Sequence, residues 1–295
     1  MRFELTDDQH DLARALEGLL ASSDTVAVAR AWADDDTGPG LGLWKRVADL
    51  GVTMLATEAS LVEVAVAFEA LGRHAVPGPW VESAAYLPVA LGHEVEGVAT
   101  LALPPHVPLA LDADVADHVY VGTTPVAADA VGPRHVSVDR TRRLFEVSGT
   151  GETDPAAFDA AVLATSAQLL GAGERVLADA VTYVKQRKQF GREIGSYQAI
   201  KHALADVRIA LDFARPLVFA AALGEVSPSA AKVACADAAY LASRTGLQVH
   251  GAIGYTAEFD LSLWITKIRA LVTAWGTPAF HRERLLQDLV AGGTR

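Results

Sequence analysis

The stretch YVKQRKQFGREIGSYQAIKHALADV, residues 183–207, joins two helical segments through a turn in which Lys185, Arg187, Lys188 and Arg192 surround a lone Phe190-Gly191 pair. The chain around it is acidic, with a formal net charge of −11 over 295 residues. A cation cluster against that background has a local role. Arg187 offers a planar fork that suits phosphate oxygens, Gln189 an amide, and Phe190 a face for stacking. Gly191 lets the chain turn where the preceding helix ends. The same charges would also complement a helix C-terminus, so the cluster alone leaves a phosphate cradle and a solvated helix end both open.

A second stretch, LQVHGAIGYTAEFDL at 247–261, supplies Gln248, His250, Gly251, Gly254 and Glu258. Glycines at a helix exit allow close backbone approach and positive φ, and the Gln248 amide can donate to a ring carbonyl or a phosphate.

Outward from these stretches the pattern is helical. A long helix starts at the Thr153-Asp154-Pro155 cap, with the proline in the first turn, and runs to near Arg187. Others are predicted from Ser196, from about Ser227, after GYTAE, and, as a short one, from Thr277-Pro278. At the other end, Thr6 with Gln9 and Ser60 with Glu63 form capping-box patterns, each before an apolar periodic run, and Gly72 is the expected stop of the second. Between about Val95 and Gly151 the 3.6 period is lost, and Val, Thr and Pro with frequent turn signals indicate short strands. Pro104 and Pro105 exclude a central strand there. The expected fold is mainly α with a small β module: an N-terminal helical domain at 1–91, a shortened middle β domain at 92–152, and a C-terminal four-helix bundle at 153–295.

The acidic balance excludes a general nucleic-acid footprint. Cys235 is the single cysteine, so the chain forms no intramolecular disulfide and no thiolate metal cage. Its nine histidines make no HxxxH or HExxH pair, and no metal site is expected. There is no GxSxG elbow and no GxxxxGK loop. The acidic, amphipathic start MRFELTDDQHDLARALEGLL is unlike a secretory signal, and no apolar run suggests a membrane span. A cytoplasmic location is expected.

In this order and spacing the two motif stretches resemble the C-terminal domain of the acyl-CoA dehydrogenase family, and the helix, β, helix layout resembles the family's whole chain. The resemblance is strong over about 154–291 and rests on layout before that. In the family, R-x-x-F-G…Q contributes to an FAD site across a subunit interface, and Q-x-x-G-G-x-G-Y-x-x-E contacts the adenine-diphosphate end. By position this implies FAD contacts at Arg187, Gln189, Phe190, Gln198, Gln248, His250 and Gly251. Ala252 departs from the pattern, standing where the family usually has a second glycine.

The family's reaction needs a carboxylate to take the α-proton of an acyl-CoA while the β-hydrogen leaves as hydride to flavin. The usual glutamate, in Y-E-G-T, falls on Trp275 of AWGT. The alternative position on the long helix falls on Ala161. Asp159 and Glu174 are the nearby carboxylates. The T-E-P…G-S-D segment that flanks flavin and thioester in full-length relatives is also missing between Val95 and Gly151. The resemblance therefore implies a short subunit of a heteromeric, steroid side-chain type acyl-CoA dehydrogenase. A longer paralogue in a heterotetramer would supply the base and complete the FAD site, and electron-transfer flavoprotein or a similar acceptor would take the electrons. Two alternatives keep the fold: a non-catalytic scaffold, and a flavin-dependent monooxygenase.

Overall fold

In the computed structural model residues 4–292 are described; the outermost residues of the segments 1–91 and 153–295 lie outside them. The first helices are α1 (Asp7–Ala21), α2 (Thr25–Ala33), α3 (Gly38–Ala48), the single turn α4 (Leu55–Glu58) and α5 (Leu61–Arg73). Both capping boxes form. Thr6 accepts from the Gln9 amide while the Gln9 side chain accepts from Thr6 N at 3.0 Å, and Ser60 and Glu63 repeat the exchange. A π-helical turn, Glu82–Tyr86, then leads into α6 (Leu87–Leu91).

Gly72 does not stop α5. The helix continues to Arg73, His74 caps it, and Ala75 takes the left-handed φ of 50°. Gly72 instead permits a backbone contact: a Cβ there would lie 2.1 Å from the Gln168 carbonyl oxygen, and one at Gly171 would lie 1.9 Å from that of Glu69. Helix α5 and the long helix α7 (Pro155–Gln186) thus cross where neither carries a side chain.

The intervening segment forms two small sheets. Strands β1 (Ala99–Ala102), β3 (His118–Val121) and β4 (Thr124–Val126) make one, with β1 and β3 parallel; β2 (Ala110–Leu111), β6 (Leu144–Val147) and β5 (Val131–His135) make an antiparallel second. Pro104 and Pro105, joined by a cis peptide bond, lie between β1 and β2 and outside any strand. Buried polar contacts fasten the sheets to the helices. Asp112 accepts from the Trp32 indole at 3.2 Å and from Arg143 Nε at 3.1 Å, and Lys267 faces Asp139 at 3.6 Å.

Helix α7 begins where expected, with the Asp154 side chain accepting from Ala157 N at 2.8 Å and Pro155 in its first turn. It packs against α5, α8 (Gln198–Ala222), α9 (Pro228–His250) and α10 (Leu261–Leu271). Its most apolar window of 18 residues is 89% buried inside the fold, so its apolarity is that of a core helix. Two boundaries differ from expectation. Residues 194–196 form a 3-10 turn and α8 starts at Gln198, because the chain leaves the preceding hairpin before it can enter helical geometry. The last helix, α11 (Pro278–Gly292), is not short; it exceeds α10 in length. One hydrophobic core runs through the N-terminal helices, β1 and the C-terminal helices, from Leu16 and Phe68 to Leu101, Leu170 and Trp264.

Candidate functional site

Helix α7 ends at Gln186, and Arg187 N donates to Tyr183 O at 2.9 Å. Lys188–Gln189 (β7) then pairs antiparallel with Arg192–Glu193 (β8) across the turn Phe190-Gly191. Both turn residues are left-handed, with φ 52° and 78°, the geometry that matches strand twist in a two-residue hairpin. Gly191 adopts it freely; Phe190 does so against its side chain's preference, and its ring is 91% exposed. The exposed Arg187 guanidinium makes no hydrogen bond, ion pair or ring contact among the described residues. Arg192 instead lies over the Tyr197 ring, 3.9 Å from its centroid. Gln189, Gln198 at the start of α8 and Gln248 are exposed as well.

The two sequence motifs meet through aromatic packing. Tyr183, one turn before Arg187, stacks on His250 with ring centroids 4.2 Å apart, and this brings the exit of α7 beside the exit of α9. His250 itself differs from the expected ligand contact. Its ring is buried, Nδ1 faces Gly246 O at 2.7 Å, and Phe259 packs on its other side. It fixes the turn and does not present itself at the surface. Gly251 ends α9 with φ 63° and ψ −137°, a conformation that needs glycine. Ala252 lies in the following 3-10 turn outside the left-handed region, so the missing second glycine does not distort the backbone.

An exposed ring, an unpartnered guanidinium, three free amides and a glycine turn at one end of the bundle are suited to a nucleotide's diphosphate and base. The residues at this end fit the adenine-diphosphate part of FAD.

The positions expected for a proton-accepting carboxylate carry none. Ala161 is fully buried on α7. Trp275 is 1% exposed and packs against Tyr86 and Phe158, at centroid distances of 5.3 and 6.0 Å. Its backbone is left-handed, φ 58°, and is held in place on both sides. Lys232 Nζ donates to Leu271 O at 2.6 Å and Ala274 O at 2.8 Å, and His281 Nε2 lies 2.9 Å from Trp275 O. Burial pushes His281 down to about 4, so its ring is neutral; Nε2–H donates to the carbonyl and Nδ1 accepts from the Ser229 hydroxyl at 2.9 Å.

Neither nearby carboxylate is free. Asp159 is clamped by Arg284, with Oδ2 at 3.0 Å. Glu174 lies among Arg73, Arg208 and Arg215; burial works to raise its carboxyl, but hydrogen bonding and charge from Arg215, with Arg208 and Arg73, outweigh this and hold it below its ordinary range. Sequence spacing gave no signal for Glu82, which is 1% exposed in the π-helical turn. Burial pushes its carboxyl up, opposed by the charge of Arg142 and by Trp275, and Oε2 has no hydrogen-bond partner. The cavity beside it holds about 10 Å3, space for a water and not for a thioester.

The family profile described as acyl-CoA dehydrogenase, C-terminal domain, matches residues 155–290. The chain is 30% identical over 315 aligned positions to acyl-CoA dehydrogenase IpdE2 of Mycobacterium tuberculosis, covering 96% of this chain and 98% of that protein. Its fold is similar to that of butyryl-CoA dehydrogenase from Megasphaera elsdenii, with a TM-score of 0.81 at 18% identity over 98% of this chain and 100% of the other. It is also similar to a chain of the ChsE4–ChsE5 complex from Mycobacterium tuberculosis, with a TM-score of 0.74 at 19% identity over 98% and 99% of the two chains.

Proposed function

The chain belongs to the acyl-CoA dehydrogenase family, FAD-dependent oxidoreductases acting on the CH–CH group of acyl-CoA thioesters, and on that premise we propose that it is the base-less subunit of a heteromeric member. A longer paralogue supplies the carboxylate that takes the α-proton. This chain contributes Arg187, Gln189, Phe190, Gln198, Gln248 and Gly251 to the diphosphate and adenosine end of the cofactor, with His250 and Tyr183 positioning the two motifs. When bound, FAD accepts the β-hydrogen as hydride. Arg187 neutralises diphosphate charge, Phe190 offers its ring for stacking, and the amides orient the nucleotide.

The observation that carries this reading is an asymmetry within one chain. The residues proposed for the nucleotide are exposed, whereas the expected base position is filled by Trp275, packed on Tyr86 and Phe158. The similarity to a chain of a two-protein complex supports a heteromer. The substrate class is a bulky acyl-CoA thioester of the steroid side-chain type, and the acceptor is electron-transfer flavoprotein or a similar carrier.

The test is to purify the chain alone and together with a longer paralogue. The complex is expected to be yellow and to bleach on adding acyl-CoA, and the single chain to do neither. A single chain that holds flavin and reduces it with acyl-CoA overturns the proposal. In the complex, Arg187→Ala is expected to lose flavin while assembly persists. Unchanged flavin content would favour a scaffold role.

A further inference from the structure

Arg30 stands in the last turn of α2, where an arginine ordinarily complements its own helix end or pairs with an acid one turn on. That acid is present, as Asp34. It is taken by Arg140 at 2.8 Å, and the next acid, Asp35, by Arg134 at 2.6 Å. Arg30 reaches instead to the connection between α9 and α10, more than 200 residues away, at a separation of 227 for its first contact. Nη1 donates to Ala257 O at 3.2 Å, and Nη2 to Glu258 O at 2.7 Å and Asp260 Oδ1 at 2.8 Å.

Little else holds this segment. Thr256, Ala257, Glu258 and Asp260 are exposed, and their other hydrogen bonds stay within the connection or run into α10. Among the described residues, Arg30 is the one residue elsewhere in the fold that hydrogen-bonds to them. A surface ion pair alone is worth little. A fork shared among two carbonyls and a carboxylate fixes direction as well as distance. Its acceptors Glu258 and Asp260 flank Phe259, whose half-buried ring packs on His250 at 5.2 Å between centroids. His250 in turn stacks on Tyr183, one turn before Arg187. An arginine of the N-terminal helices is thereby joined to both motif stretches.

We propose that Arg30 is a positioning residue for the nucleotide end of the bundle. It holds Phe259 against His250, His250 holds Tyr183, and the exits of α7 and α9 are set side by side from a third element. The proposal rests on the dehydrogenase-subunit reading for the ligand those exits hold, and not for the link itself.

Hydrogen exchange in the full chain reads the link without flavin or partner. Arg30→Ala, shown to be folded by thermal melts, is expected to speed exchange about tenfold over 251–260, given the strength of hydrogen bonds from a charged donor. Over 183–194 the expected increase is about threefold, as the stack passes on part of the effect. Arg30→Lys keeps the charge without the fork and is expected to recover only part of the loss. Arg140→Ala unties α2 from the β5–β6 connection and is expected to leave both segments at wild-type rates. Unchanged exchange over 183–194 in Arg30→Ala, or the same change in Arg140→Ala, overturns the proposal. In the complex with the longer paralogue, Arg30→Ala is expected to release flavin about tenfold faster than the wild type. Release as slow as in the wild type, where Arg187→Ala loses flavin, overturns the positioning role. If Arg187→Ala also retains flavin, the nucleotide reading fails, and the exchange rates still decide the link.

Discussion

The indole of Trp275 packs on the Tyr86 ring at 5.3 Å and 31°, and so the turn that follows α10 is closed by the π-helical turn before α6. Trp275 fills a core position. Trp275→Ala is expected to cost about 3–5 kcal/mol, the range for removing a large buried aromatic. Trp275→Glu is expected to destabilise as well, because it removes the packing of the indole on Tyr86 and Phe158 and sets a second carboxylate beside the buried Glu82. Urea midpoints measure the first effect. The same measurement checks the second, and a Trp275→Glu chain as stable as the wild type would contradict it.

Phe190 offers a separation of fold from ligand contact. Its φ of 52° suits Asn or Gly better than an aromatic residue, while its ring touches little of its own chain. Phe190→Asn is therefore expected to leave stability unchanged or raise it by up to roughly 1 kcal/mol. Flavin retention by the complex is expected to fall. Thermal melts and the flavin-to-protein ratio of the same preparation check both halves.

What could be read from the sequence was what is encoded locally. Thr6 with Gln9, Ser60 with Glu63, and Asp154 with Pro155 specify helix starts within four residues of chain, and all three form. Arg187 and Gln248 stand out in short motifs, and both side chains are exposed. His250 looked like a ligand contact because spacing carries no burial; only the stack on Tyr183 reveals that its ring faces inward. Glu82 and Arg142 belong to distant stretches and gain meaning from each other and from Trp275 across the fold. The same distance hid the part played by Gly72, whose partner is a carbonyl on α7.

That partner makes Gly72 a sharp test of the crossing between α5 and α7. A methyl group at Gly72 or Gly171 would meet backbone, which cannot rotate away, so either Ala substitution forces the helices apart. Each is expected to cost roughly 1–3 kcal/mol or more, as overpacking does, although Ala is the better helix former. The two contacts are reciprocal, Gly72 on Gln168 and Gly171 on Glu69, and once the helices have separated the second substitution adds less. A double-mutant cycle in urea measures this, and full additivity would show that the two sites do not share one crossing.

His281 links this architecture to pH. Its folded-state value of about 4 lies below the ordinary 6.5, chiefly through burial, so between those values the unfolded chain binds more protons. Its contribution to stability is complete above about pH 6.5 and is lost as pH falls towards 4. Asp112, pushed up to about 6 by burial against the opposing pull of Arg143, acts with the opposite sign, and burial of Glu82 does the same; both contributions weaken as pH rises. The wild-type profile sums these trends, so the informative quantity is a difference. His281→Gln keeps an amide donor for Trp275 O and an acceptor for Ser229 but does not titrate. Wild type minus variant, from urea unfolding at several pH values, is expected to be flat above pH 6.5 and to fall steadily from there to pH 4. A difference that stays flat across the whole range would mean that His281 is not held neutral between Ser229 and Trp275.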